Sequence, residues 1–348
     1  MAEAVVLEQG TIPNPNASSA DQHRLIRYAY GEAHGYAVMV RDAYAAWERL
    51  WSDLGQSLYV PTGQVLTAPR DDPWLLSSCR SLELMGIPHE LLDSAAIAAR
   101  FAMLDPERVE CAFYSPTGGA LLSERIVAAL ANWLRREGVE VRERVRVASL
   151  DPARGAVRLA DGSELTGEMV VAAAGPWLPR LVPALAGSIV PSRQVLIYVR
   201  PPAELAASWE GAPMITDVLT SGQSVFYAVP PVAGTGLKFG DHRFSRGGDP
   251  DQDREVPADE IDPILALASR RLRAVDRYEV TEARTCFYTV TDDERFVAHR
   301  EDRVLALSPC SGHGFKFSAL IGERVGQLLD EQTDFPSFAS WLAGELPI

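Results

Sequence analysis

Ser311-Gly312-His313-Gly314-Phe315-Lys316-Phe317 is the stretch whose residue types and spacing most suggest chemistry. Its glycines let backbone approach a flat ligand closely, and Lys316 adds a full positive charge. Val304 to Leu307 reads as a buried strand before it. Ala319 to Leu329 reads as a helix after it, with Leu320, Ile321, Val325, Leu328 and Leu329 on one broad face. That helix turns its partly positive end towards whatever sits in the loop. Such a loop suits a bound group that becomes anionic during turnover. An ordinary strand-to-helix turn has the same composition. A second segment upstream, Thr285-Cys286-Phe287-Tyr288-Thr289, weighs against that plainer reading.

The elements that must position these residues are legible in part. Val5 to Leu7 is a short apolar strand ending in Glu8, followed by a turn-rich stretch from Gly10 to Asp21. Val40, Tyr44, Trp47, Leu50, Trp51 and Leu54 recur at helical spacing and predict a helix over about 37–54. Leu121 to Glu137 repeats the pattern, and Gly138 ends it. Strands are expected at 139–141, 145–150 and 156–159, with a hairpin turn at Asp161-Gly162. Met169 to Ala174 is a continuous apolar run ending in Gly175-Pro176-Trp177, as expected of a buried strand opening onto a helix. From about 190 to 290 the chain mixes β-branched and aromatic residues with Pro and Gly, as in Val195 to Val199 and Val225-Phe226-Tyr227. Gly247 to Asp262 reads as an acidic surface excursion, and a helix is expected over about 262–273.

At 348 residues the chain can bury a large core and is expected to hold two domains. Its net charge of −14 and lack of any basic block argue against nucleic acid and anionic membrane as partners. No apolar run is long enough to span a bilayer, and the first residues lack a signal-peptide pattern. The four cysteines, Cys79, Cys111, Cys286 and Cys310, form no disulfide framework and show no metal-ligand spacing. A reducing cytoplasm is the expected compartment.

The two segments with which this reading began resemble the monomeric sarcosine oxidase and N-methyltryptophan oxidase family, flavin amine oxidases of the D-amino-acid-oxidase-like superfamily. The resemblance runs from about Val5 to about Leu329. It includes His23-Arg24-Leu25-Ile26-Arg27-Tyr28-Ala29-Tyr30-Gly31, Gly236-Leu237-Lys238-Phe239-Gly240-Asp241-His242 and Asp292-Asp293-Glu294-Arg295-Phe296. It implies an α/β fold (α+β overall), with a Rossmann-like FAD-binding domain and a mixed-sheet substrate domain. The former is assigned to 1–50, 118–190 and 284–348, the latter to 51–117 and 191–283.

By the same resemblance Cys286 forms a thioether to FAD, and Lys238, with Arg24 as partner, faces the flavin and promotes reaction with O2. Arg27 and Lys316 hold the substrate carboxylate, His242 lies near the amine, and Tyr227 and Tyr288 are aromatic walls. Glu8 meets the ribose, Val147 the adenine side, Gly175 and Trp177 the phosphates and Ser19 the flavin. Gly312, His313, Gly314, Phe315 and Lys316 form the flavin loop. The implied reaction is hydride transfer from a small secondary or tertiary amino acid to flavin, with O2 giving H2O2, in a monomer. Singly, each residue also has a plainer reading: a buried inert cysteine, surface cations, a core or surface histidine, packing aromatics, turn serines. Their order along the chain favours the functional one.

Two departures stand out. The residues before Ser311 are Ser308-Pro309-Cys310, where family members carry small or apolar residues. And no Gly-x-Gly-x-x-Gly occurs. The stretch before Glu8 is too short for the first strand, glycine turn and first helix of a dinucleotide-binding unit, so the FAD domain is expected to lack its first βα unit. A truncated sequence, a piece supplied by another chain, and loss of flavin binding in favour of a non-catalytic binding role are the open explanations. A tailoring oxidase acting on a bulkier amine is a further alternative.

Overall fold

Side-chain alternation organises the centre of the molecule. The β-branched and aromatic runs around Ile197 and Phe239 favour strands. Both are strands in this computed structural model, which describes residues 4–218 and 224–345. They belong to an eight-stranded mixed sheet in the order Glu279–Val290, Val190–Arg200, Leu237–Asp241, Ser224–Val229, Met214–Val218, Gln64–Ala68, Cys111–Ser115 and Glu90–Asp93. Neighbours are antiparallel except Met214–Val218 beside Gln64–Ala68. One face buries Ile197, Val199, Phe226, Leu237 and Phe239 together with Leu205 and Trp209 of the helix Ala203–Trp209, and with Ile264 and Leu267 of Asp262–Ala268. Successive side chains point to opposite faces. Tyr198, Tyr227 and Lys238 are therefore sent to the other face, which Cys286 shares with Tyr198.

The helix His34–Leu54 covers a second core. Tyr36, Met39, Val40, Ala43, Trp47 and Trp51 recur at helical spacing and are buried, and Gly55 closes the helix at φ +70. Trp47 and Trp51 stack at 4.9 Å. Leu320, Ile321 and Leu328 of the helix Ser318–Leu329 share this core. A three-stranded sheet, Arg24–Ile26, Gly119–Leu121 and Tyr59–Pro61, holds Arg24 in place.

Parallel pairing marks the remaining third. Val5–Leu7 runs parallel to Glu140–Arg142, and Val170–Ala172 parallel to Val304–Ser308. The antiparallel strands Val147–Asp151, Ala156–Leu159 and Glu164–Thr166 form a meander between them in sequence. Parallel strands are normally covered on both edges and faces. Among the described residues, Val5–Leu7 and Val170–Ala172 each have a strand on one edge only. Val5 and Val171 are 42% and 41% exposed. No helix among the described residues is long and apolar enough to cross a membrane.

Two elements differ from expectation. The buried strand expected over 169–174 is the short Val170–Ala172, with Val171 exposed because no described element covers that side chain. The helix expected over 262–273 spans Asp262–Ala268. After it the chain turns, Arg271 N–H bonding Ala268 O, so that Leu272 can bridge to Leu104. The turn aims the Arg271 guanidinium at the buried Asp217, whose Oδ1 accepts from Arg271 Nε and Thr67 Oγ1, both at 2.7 Å. Burial of that carboxylate outweighs roughly one and a half further turns of helix. Arg271→Gln removes the partner of a buried charge and should destabilise the fold by about 3 kcal/mol. Urea unfolding measures it, and Arg270→Gln is the expected neutral comparison.

Candidate active site

Two lysines are present in the whole chain, Lys238 and Lys316, among 33 lysines and arginines. Both are buried. The Leu237–Asp241 strand places Lys238 on the face opposite the Phe239 core. Its Nζ donates to Asp21 Oδ2 and to His23 O, both at 2.7 Å. Asp21 is buried too and also accepts from Arg24, Tyr198 Oη and Gln22 N. Burial alone would raise the Asp21 carboxyl, but Lys238 and Arg24 hold it below the usual carboxylate range. Burial pushes Lys238 down to about 8, opposed by Asp21 and helped by Arg24. Burial works against the Arg24 charge, and Asp21 more than reverses that. His23 is pushed down to about 3, chiefly by burial and then by Lys238, and is neutral. Its Nε2 faces Gly236 O at 3.1 Å.

Arg24 connects this group to the thiol. Its Nη2 donates to Ser18 O at 2.8 Å and lies 3.6 Å from Cys286 Sγ. Cys286 pairs with Gln194 in the sheet and is buried beside Tyr198 and Tyr288. Burial pushes its thiol up and Arg24 pulls it down. Tyr227 and Tyr288 lie close enough to Arg24 and Cys286 to share their field. Gly240 makes room for the Tyr227 ring: a Cβ there would sit 2.4 Å from the Tyr227 hydroxyl oxygen.

The second lysine has different company. Lys316 Nζ donates to Tyr30 Oη at 2.9 Å and to His313 O at 2.8 Å, and Trp47 Nε1 donates to the Lys316 carbonyl at 2.7 Å. Arg27 and Lys316 flank the Tyr30 ring at 5.2 and 5.4 Å. Arg27 Nη1 donates to Ala29 O, while its buried Nε has no partner. Burial lowers Arg27, and burial with the Arg27 charge drives Lys316 well below the ordinary lysine range. No carboxylate pairs with either cation among the described residues. His313 Nε2 lies 3.1 Å from Glu294 O and its Nδ1 3.1 Å from Tyr30 Oη. The carbonyl can only accept, so the Nε2–H tautomer follows and Tyr30 donates to Nδ1. Burial keeps His313 neutral.

Glu294, at φ +62, sets its Oε2 3.4 Å from His242 Nε2. Gly312, at φ +76, presses against both rings beside it: a Cβ would lie 2.8 Å from Tyr288 and 2.9 Å from His242. Lys238, Arg24, Cys286, Tyr227, Tyr288, His242, Arg27, Lys316 and His313, expected as one site from scattered positions, are thus joined by contacts in one region. Asp21, Tyr30 and Glu294 belong to it and escaped sequence reading.

Residues 2–328 match the family described as FAD dependent oxidoreductase. The chain belongs to that family. Monomeric sarcosine oxidase of Streptomyces avermitilis is 29% identical to it over 339 residues, covering 94% of this chain and 87% of that protein. N-methyl-L-tryptophan oxidase of Yersinia pestis is 25% identical, covering 92% and 86%. Among solved structures, NikD, described as an unusual amino acid oxidase essential for nikkomycin biosynthesis, superposes with a TM-score of 0.81 at 19% identity, covering 97% and 91%. L-proline dehydrogenase from P. horikoshii gives 0.81 at 15%, covering 99% and 96%. These two show the fold. The chain is an FAD-dependent oxidoreductase of the sarcosine oxidase-like, amine-oxidising kind.

The residues present fit the ring end of FAD. Cations, a buried thiol and a glycine loop converge, and the Arg27 Nε is unsatisfied. The remaining expected contacts lie outside this cluster. Glu8 Oε1 accepts from Gly10 N and Asn14 Nδ2, both at 2.8 Å. Val147 begins the meander, joined to Glu8 through Val145 N–H and Glu8 O. Gly175 faces Ser18, and Trp177 Nε1 donates to Asp251 at 2.8 Å. Ser19 follows Ser18, whose hydroxyl donates to Phe287 O beside Cys286. The acidic excursion is more than surface. Its Arg254 lies over Phe287 at 4.8 Å and over Trp177 at 5.9 Å and donates to Asn16 O at 2.9 Å. It thereby fastens the expected phosphate side to the ring side.

A Cβ on Gly314 would lie 1.7 Å from Pro309 O, whereas one on Gly322 meets nothing within 4 Å. Gly314→Ala should therefore lose bound FAD, seen as lost visible absorbance, while Gly322→Ala keeps it.

Proposed function

We propose that the chain oxidises a small secondary or tertiary amino acid, sarcosine-like, N-methyl or cyclic, and passes the electrons to O2 as hydrogen peroxide. One observation carries this reading: Arg27, half-buried, and Lys316, buried, are basic groups side by side with no acidic partner among the described residues. Burial and the Arg27 charge discourage protonation of Lys316, and an anion lodged between the two would restore it. A substrate carboxylate supplies that anion, and Arg adds a bidentate fork to the lysine's point charge. The names of the relatives agree, since sarcosine and N-methyl-L-tryptophan each carry a carboxylate beside a secondary amine.

Fixing the carboxylate fixes the amine and its neighbouring C–H in one orientation. Tyr227 and Tyr288 bound that position, and His242, steadied by Glu294, stands beside it to take a proton from nitrogen. Loss of a hydride from carbon and a proton from nitrogen leaves an imine, which water hydrolyses. FAD, when bound, supplies the two-electron acceptor. Cys286 would tether it and Glu8 would meet its ribose. Lys238 would stabilise the anion that oxygen becomes on its first electron.

Incubation with sarcosine, N-methyltryptophan and pipecolate should release peroxide, and the same amines lacking the carboxyl group should not. Equal rates with and without the carboxyl would refute the reading. Arg27→Gln should raise KM by on the order of 100-fold with kcat less affected. For the tether, acid-precipitated wild-type protein should stay yellow, and Cys286→Ser should release its colour to the supernatant.

A further inference from the structure

We propose that Asp21 is the positioning residue of the oxygen-reducing step: its carboxylate, shared by Lys238 and Arg24, keeps the Lys238 ammonium charged and aimed. The proposal rests on the oxidase reading above. Three neighbouring ions, the buried Asp21 and Lys238 with the partly buried Arg24, leave one net positive charge. The hydrogen bonds decide where that charge is available. An ammonium has three N–H donors, and Lys238 uses two, on Asp21 and His23 O. Among the described residues no acceptor takes the third, and the Tyr227 ring centroid is 5.8 Å from Nζ. Arg24 turns its donors on Asp21, Ser18 O, Ala20 O and Cys286.

Oxygen takes one electron and becomes an anion, then a second electron and two protons to leave as hydrogen peroxide. Electrons and protons are those removed from the amine by way of FAD. The lysine is not consumed; its charge lowers the energy of the anion.

The groups facing Lys238 are Asp21 and His23 from the preceding loop, Arg24 from its strand, Tyr198, Tyr227 and Cys286. Asp21 carries the negative charge among them. The thiol and both tyrosines are protonated at neutral pH, pushed up by burial, and His23 is neutral. Without Asp21, Lys238 would face burial and the Arg24 charge with nothing to offset them, and would give up its proton. Lys316 is an internal comparison, equally buried but without an acid.

The two-lysine composition makes this directly readable. Holoenzyme grown on lysine carrying carbon-13 at Cε gives two side-chain signals, assigned with Lys316→Arg. In the wild type, Lys238 should titrate at higher pH than Lys316. In Asp21→Asn its midpoint should fall by about two pH units. Reoxidation of the reduced enzyme by O2 at pH 7.5 should slow on the order of 100-fold and recover as pH drops through the new midpoint. An unchanged Lys238 midpoint in Asp21→Asn overturns the proposal. So does a wild-type Lys238 that titrates at or below Lys316, which decides the matter even if the variant does not fold. A wild type that releases no peroxide from any of the amines refutes the oxidase reading instead, and the lysine signals still report on Asp21.

Discussion

Dry positive charge is the constraint around which this molecule is built. Four cationic side chains, Arg24, Arg27, Lys238 and Lys316, are drawn from segments far apart in the chain and held away from water. A buried cation persists only with a compensating group; Asp21 compensates one pair, and among the described residues no acid compensates the other, so burial works against charge on Lys316. That asymmetry divides the region into a satisfied half and a half left unsatisfied among the described residues, the half proposed to take the substrate carboxylate. The satisfied half also holds Cys286, because Arg24 spans from Asp21 to the thiol.

The architecture serves this division. The long antiparallel pairing of Val190–Arg200 with Glu279–Val290 sets Tyr198 and Cys286 on the same face as Lys238. The opposite face is filled with Phe226, Phe239 and Trp209, so the strands cannot slip by one residue without burying a lysine in hydrocarbon. Register and chemistry are therefore fixed by the same alternation. The helix His34–Leu54 serves the other half, since its Trp47 indole holds the backbone of Lys316.

Much of this was legible in advance where the signal is local. Helical spacing located Val40 to Leu54, and glycine spacing marked the 311–317 loop. Asp21 was not legible. An aspartate in a polar turn reads as a turn residue, and its value lies in partners such as Tyr198 and Lys238, near it only after the sheet has formed. The scarcity of lysine was on the page and unread: a residue type retained at two positions has a reason to be at each. The helix expected to reach 273 stops at Ala268 because the need of Asp217 for a guanidinium, a tertiary matter, overrides apolar spacing. Arg254 was lost in an acidic stretch whose composition resembles solvent-facing loop.

A surface whose positive charge is all guanidinium has a practical consequence. Amine-directed reagents, from activated esters to aldehyde cross-linkers, find no side-chain primary amine except the two buried in the site. Attaching the protein to an electrode or bead by such coupling would act through the α-amino group or strike the two buried lysines. The 47 acidic side chains offer the safer handles.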